Sequence, residues 1–311
     1  MVVATAYGGP EVLSMLERDV AAPGPGEVTI AVRASAVNPI DYKLYSGAFG
    51  TDPEKLPLPV GLELAGVITA VGEGAQGPGG PLSIGDEVVA YPVPGAAASE
   101  VSAPARVVVP KPAGISFEVA SGTLLAGGTA VHALAVSGVK PGETLLVHGG
   151  SGAVGVVAVQ LAVAEGITVL ATGGARNQEL LRSFGAIPLE YGPGLLDRVR
   201  AAAPDGVAAA IDAVGTDEAI DVSLELVAEP SRIVSAVAFG RGDTGITLIG
   251  GGPGADPGTE IRADAWRRLL PAIEAGTLRI PVARDYPLAR TADAHRLVAD
   301  GHAGGKVVLL P

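Results

Sequence analysis

The chain has 311 residues, 48% of them hydrophobic, a formal net charge of −12 and no cysteine. Its length suits two domains with a core each, its acidity argues against nucleic-acid or anionic membrane partners, and without cysteine it has no disulfide and no thiolate metal site. The four histidines (His132, His148, His295, His302) lack ligand-like spacing, no apolar run is long enough to span a bilayer and the start carries no basic signal region, so no metal and a cytoplasmic location are expected.

Short apolar runs at 27–37, 60–72, 85–93 and 105–112 alternate with Gly/Pro turns such as "PGPGE", which is the pattern of a β-rich first domain. From Ser116 the spacing turns helical over 116–136, and strands and helices then alternate. Strands are predicted at 143–149, 167–173, 186–191, 206–215, 231–239 and 245–251, with helices at 153–166, 175–185, 194–203 and 217–228. Continuous apolar strands between amphipathic helices predict a parallel sheet covered on both faces, a doubly wound α/β domain. After Gly258 come helices over 262–276 and 291–301 and a last strand at 305–311. That segment is too small for its own core and is expected to return to the first domain. The division is therefore 1–115 with 258–311, and 116–257.

The stretch "HGGSGAVGVVAVQLA" (148–162) places Gly150, Gly152 and Gly155 in G-x-G-x-x-G spacing between a predicted strand and helix. In such a turn the first glycine permits the bend, the second admits a pyrophosphate and the third lets helix and strand pack closely. In a chain with 45 glycines the spacing alone fits a plain strand-turn-helix equally well. The alternating domain around it turns the reading to dinucleotide binding.

An acidic residue about 20 positions on would hold a ribose 2′-OH. Instead "ATGGARNQ" (171–178) has no carboxylate and carries Arg176, whose planar fork suits a 2′-phosphate. NADPH is the expected cofactor, the alternative for Arg176 being a solvated first-turn residue.

The motifs "YGGPEVL" (7–13), "PGPGEVTIAVRASAVNPIDYKLYSG" (23–47), "GLELAGVITAVGEGA" (61–75), "GDEVVAY" (85–91), "GGTAVHAL" (127–134), "GVKPGETLLVHGGSGAVGVVAVQLA" (138–162) and "GKVVLL" (305–310) occur in an order that resembles the zinc-free quinone oxidoreductase branch of the medium-chain dehydrogenase/reductase superfamily. Zinc-dependent relatives have G-H-E where Gly61-Leu62-Glu63 stands and a cysteine where Asn38 stands, so both metal ligands are missing. The resemblance implies a Rossmann sheet plus a GroES-like β-barrel, with the nicotinamide in the cleft. It carries cofactor binding to Thr129, Ser151, Gly152, Ala153, Val154, Thr172, Arg176, Tyr191, Ala213, Val214, Val237, Ala238, Phe239 and Lys306. For Lys306 a solvated guard of a strand edge is the competing reading. A homodimer joined through the edge strand at 245–251 is also implied.

The implied chemistry is hydride transfer to a small hydrophobic quinone or enone. Alternatives are an enoyl reductase for carrier- or CoA-linked chains and a non-catalytic NADPH-binding sensor. Lys43 resembles a lysine of enone-reducing members and is the leading catalytic candidate, against a surface lysine on a short helix. Asn38 is a candidate donor to substrate or an Asx-turn before Pro39. Tyr42 and Tyr45 are candidate phenol donors or packing residues. Asp41 is expected to order the turn, and the loop "YPVPGAAASE" (91–100) to overhang the substrate. His132 reads as packing, His148 as a local hydrogen bonder, and His295 and His302 as surface residues.

Overall fold

The computed structural model describes residues 1–301 and 303–311, so His302 lies outside the described residues. The chain divides into two compact units, residues 1–125 with 268–311 and residues 126–267. Both junctions fall later than the sequence suggests, because helices Leu124–Ser137 and Trp266–Glu274 each carry one. A junction inside a helix leaves no turn signal to read.

In the first unit the long strand Glu27–Val37 organises the sheet. It pairs antiparallel with Glu63–Val71, with Glu100–Pro104 and with the C-terminal strand Lys306–Leu310. The last of these pairs parallel with Val282–Pro287, so the C-terminal segment does return to the first unit. Val28, Ile30, Leu64, Ile68, Val88 and Val108 fill the interior. Each fully buried Leu or Ile of this kind contributes roughly 1.5–3 kcal/mol. The predicted run at 105–112 forms a short turn and the strand Val108–Pro110. In the loop after Tyr91, Ala96, Ala97 and Ala98 are fully buried, Ala97 N–H donates to the Val60 carbonyl and the Ala97 carbonyl accepts from Val2 N–H, while Pro92, Pro94 and Ser99 are exposed. Small side chains permit that close approach.

The second unit is a six-stranded parallel sheet in the spatial order Ile187–Leu189, Thr168–Thr172, Thr144–His148, Ala209–Asp212, Ile233–Ser235, Thr247–Leu248. All five pairings are parallel, and the order reverses direction at Thr144–His148. Leu146, Leu170, Ala210 and Ile233 from the sheet share a core with Leu195, Val199 and Ile220 from the helices. Most predicted elements appear here in shorter form. The edge run at 245–251 shortens to the strand Thr247–Leu248 followed by a bridge from Ile249 to Asp256, and the helix at 262–276 breaks into Thr259–Asp264 and Trp266–Glu274. Among the described residues no helix is long and apolar enough to cross a membrane.

Candidate functional site

The second unit gathers the expected cofactor residues at the carboxyl ends of its parallel strands. Residues 149–154 follow Thr144–His148, residues 173–176 follow Thr168–Thr172, Tyr191 follows Ile187–Leu189, Ala213 and Val214 follow Ala209–Asp212, and Val237 to Phe239 follow Ile233–Ser235. Ligands of open parallel sheets bind there, beside the point where strand order reverses.

The glycine turn is built differently from the motif's usual division of labour. Gly149, not Gly150, takes the left-handed conformation (φ +72°) that makes the bend. Gly150 instead lies against the neighbouring strand, where a Cβ would stand 2.8 Å from Ala171 Cβ. Gly155 packs on the backbone of Gly149 and Gly150 and leaves no room for a side chain. Gly152 caps helix Ala153–Ala164, and a Cβ on it would meet only the Gly149 carbonyl, at 3.3 Å. An open glycine in front of a helix N-terminus is a cradle for an anion, since the first-turn N–H groups lack carbonyl partners one turn back and the dipole is positive there.

Side chains brace this edge. Thr172 is buried, and its Oγ1 accepts from Gly149 N–H at 3.1 Å, so it orders the turn. Asn177 Nδ2 donates to Ser151 Oγ at 3.0 Å, tying the glycine turn to the Arg176 turn. Asp212, which the sequence reading missed, is fully buried. One of its oxygens accepts from Val214 and Gly215 N–H and the other from Ser235 Oγ at 2.6 Å, and Ser235 Oγ in turn accepts from Val237 and Ala238 N–H. One carboxylate thus fixes two strand-end turns, and its signal was a charge closing the apolar run "AAAID". Thr129 Oγ1 accepts from Arg262 at 3.2 Å. His132 is fully buried, but charged partners rather than apolar packing hold it: its Nδ1 accepts from Arg262 Nε at 3.2 Å and its Nε2 lies 3.1 Å from Asp256 Oδ2. His148 hydrogen-bonds with Ser223 Oγ at 3.0 Å, across the unit rather than locally.

The first unit holds a separate buried polar network. Strand register assembles it, because Glu63 pairs with Ala36 and Val307 with Val37, which brings Lys306 and Glu63 to Asn38. Lys306 Nζ donates to Asn38 Oδ1 at 2.7 Å and to Glu63 Oε1 at 2.9 Å. Asn38 Nδ2 donates to Glu63 Oε1 at 2.9 Å, and Leu125 N–H to Glu63 Oε2 at 2.9 Å. This corrects two expectations. Lys306 is not a solvated edge guard, since its ammonium is enclosed and ion-paired with Glu63. Asn38 spends its amide inside the unit and has no donor left for substrate.

Tyr45 is corrected as well. It is 1% exposed and its hydroxyl hydrogen-bonds with His295 Nδ1 at 2.9 Å, so it is a core residue. His295, expected at the surface, is equally buried as its partner. Tyr42 is half-buried against the same core, and burial raises its phenol. Asp41 orders the turn by accepting from Asn38 N–H at 2.8 Å, while its Oδ1 is buried without a hydrogen-bond partner. Lys43, half-buried on helix Pro39–Tyr45, is the catalytic candidate that the core does not absorb.

Residues 24–135 match the alcohol dehydrogenase GroES-like domain family, and residues 194–309 match the family described as zinc-binding dehydrogenase. A quinone oxidoreductase of Pseudomonas aeruginosa is 32% identical over 98% of both chains. The chain belongs to the zinc-free quinone oxidoreductase branch of the medium-chain dehydrogenase/reductase superfamily. Another relative, the chloroplastic NADPH-dependent alkenal/one oxidoreductase of Arabidopsis thaliana, is 30% identical over 98% of this chain and 78% of its own. The structure of Escherichia coli quinone oxidoreductase complexed with NADPH superimposes with a TM-score of 0.87 at 27% identity, covering 100% of this chain and 99% of that one. The residues here do not fit the zinc of the family description. An amide and an ammonium share the one carboxylate, and a cation already neutralises it.

The buried titratable groups of this unit and the next make acid stability a measurable property. Burial holds His295 and His148 down at about 4, so unfolding takes up protons as pH falls from about 6.5 to 4 and stability is lost. Burial raises Asp41 to about 7, which works the other way, since the unfolded chain releases that proton first. Asp41→Asn removes the opposing contribution. Denaturant midpoints measured from pH 6.5 to 4 are expected to fall more steeply for Asp41→Asn than for the unsubstituted protein, and parallel curves would refute the assignment.

Proposed function

We propose that the chain is an NADPH-dependent oxidoreductase that delivers hydride to a quinone or an α,β-unsaturated carbonyl without zinc. One observation carries the choice of cofactor. Beside an open glycine cradle at the sheet's carboxyl edge lies a turn, 173–177, that has no carboxylate for a ribose 2′-OH and has an exposed arginine, Arg176. The donors fit the group: the N-terminus of helix Ala153–Ala164 would hold the pyrophosphate and Arg176 the 2′-phosphate, with the Tyr191 ring beside the Gly174 turn. When bound, NADPH supplies a hydride to an electron-poor carbon.

The protein's own task is to hold the acceptor and stabilise charge on its oxygen, and we assign Lys43 to that oxygen. Its ammonium holds a proton at Nζ and donates a hydrogen bond as negative charge develops. Lys43→Ala is expected to lower turnover on an enone by about tenfold or more while leaving the NADPH dissociation constant unchanged. An unaltered rate would remove Lys43 from the mechanism.

The direct assay is NADPH oxidation with 1,4-benzoquinone, 9,10-phenanthrenequinone, a short enone and crotonyl-CoA. Turnover on quinone or enone supports the reading. Preference for the thioester would make this an enoyl reductase, and tight NADPH binding with no turnover a sensor. The proposal includes a cytoplasmic homodimer continued through the edge at Thr247–Leu248, which light scattering would test.

A further inference from the structure

We infer that Arg198 is a positioning residue for the cofactor, acting through Tyr191. The inference rests on the NADPH reading above. Tyr191 is 58% exposed, large for an aromatic ring on a defined turn, and it stands beside Gly174, where a Cβ would meet its hydroxyl at 3.6 Å and Cε1 at 3.8 Å. Gly174 lies two residues before Arg176. The ring therefore faces the turn assigned to the phosphorylated ribose.

The segment that carries the ring should be loose by composition. Gly192 (φ +96°) and Gly194 (φ +82°) flank Pro193, and glycine loses more freedom on ordering than any other residue. Arg198 removes that freedom. Nε and Nη2 donate to the Glu190 carbonyl at 3.0 and 2.8 Å, Nη2 also to the Gly192 carbonyl at 2.8 Å, and Nη1 to the Pro193 carbonyl at 2.9 Å. From the next helix Glu218 Oε2 accepts from Gly192 N–H at 2.9 Å. The carbonyls on either side of Tyr191 are thus held by one planar guanidinium, a geometry that a lysine cannot copy because it offers a point charge rather than a fork. A ring fixed in advance binds without the ordering cost that a mobile ring would add.

The test compares the unsubstituted protein with Arg198→Ala, Arg198→Lys, Tyr191→Ala and the double variant Arg198→Ala/Tyr191→Ala. In the cofactor-free protein Arg198→Ala is expected to speed hydrogen exchange at the Tyr191 and Gly192 amides. It should also weaken NADPH binding, followed by nicotinamide fluorescence, on the order of tenfold, with Arg198→Lys between the two. The loss should appear in KM for NADPH rather than in kcat. In the Tyr191→Ala background Arg198→Ala should add no more than about twofold, since its route to the cofactor is already gone. Equal losses in both backgrounds would show a general structural role and overturn the inference, as would unchanged binding. If Arg198→Ala does not fold, Arg198→Lys decides by the same cycle. Absence of NADPH binding by the unsubstituted protein would overturn the functional reading and this inference with it.

Discussion

Arg176→Ala is expected to weaken NADPH by about ten- to a hundredfold while changing NADH by no more than about twofold, because a charge-assisted bond to a phosphate contributes roughly 1.5–3 kcal/mol. NADH has no phosphate at that position, so a residue reading only the phosphate has nothing to lose with it. The surroundings favour such selectivity. Arg176 is exposed on the short helical turn Ala175–Asn177, away from the sheet core, so its removal leaves no buried cavity to disturb both cofactors alike. The neighbouring Asn177 keeps the turn in register through Ser151 whether or not the guanidinium is present. Because the interaction is between exposed charges, the advantage of NADPH over NADH should also shrink as salt rises. Dissociation constants for both cofactors at low and high ionic strength check both statements. Equal losses for NADPH and NADH would mean that Arg176 shapes the turn rather than reading the phosphate.

How much of this could be read from the chain alone depended on the range of the interaction. The alternation of strands and helices between residues 143 and 239, the glycine cradle and the carboxylate-free turn are local patterns, and all three stand in the structure. Which of the adjacent glycines bends was hidden, because Gly149 and Gly150 are identical in chemistry and only the packing of Ala171 and Val214 against them separates their roles. The network in the first unit was read least well. Lys306 and Glu63 are 243 residues apart in sequence, and Tyr45 and His295 are 250 apart, so each partner alone resembles a surface lysine or a pocket tyrosine. One part was legible and was overlooked. Thr291, Ala294 and His295 are the buried residues of helix Thr291–Ala299, at i, i+3 and i+4 spacing, so the histidine lies on the apolar stripe rather than the solvated face.

Lys306→Met is expected to destabilise the protein by about 3–5 kcal/mol, the cost of leaving a buried charge without its partner. Glu63 is fully buried and Lys306 is 4% exposed, so water does not replace the lost ion pair. Asn38 Nδ2 and Leu125 N–H would still donate to the carboxylate, but neither carries charge. The geometry does not imply that the pair stabilises the fold relative to an apolar one. Desolvation of both ions offsets much of their attraction, and well-packed hydrophobic replacements of buried pairs are often neutral. The informative comparison is therefore Lys306→Met against Lys306→Met/Glu63→Leu. The double variant should recover most of the loss, because it removes the uncompensated charge together with its partner. The Asn38 side-chain amide would then keep only its bond to the Ala36 carbonyl, which sets an upper limit on the recovery. Thermal unfolding followed by circular dichroism at one scan rate measures the order of the three proteins. A double variant as unstable as Lys306→Met would show that the network holds the C-terminal strand beside Val37 by its geometry rather than by its charge balance.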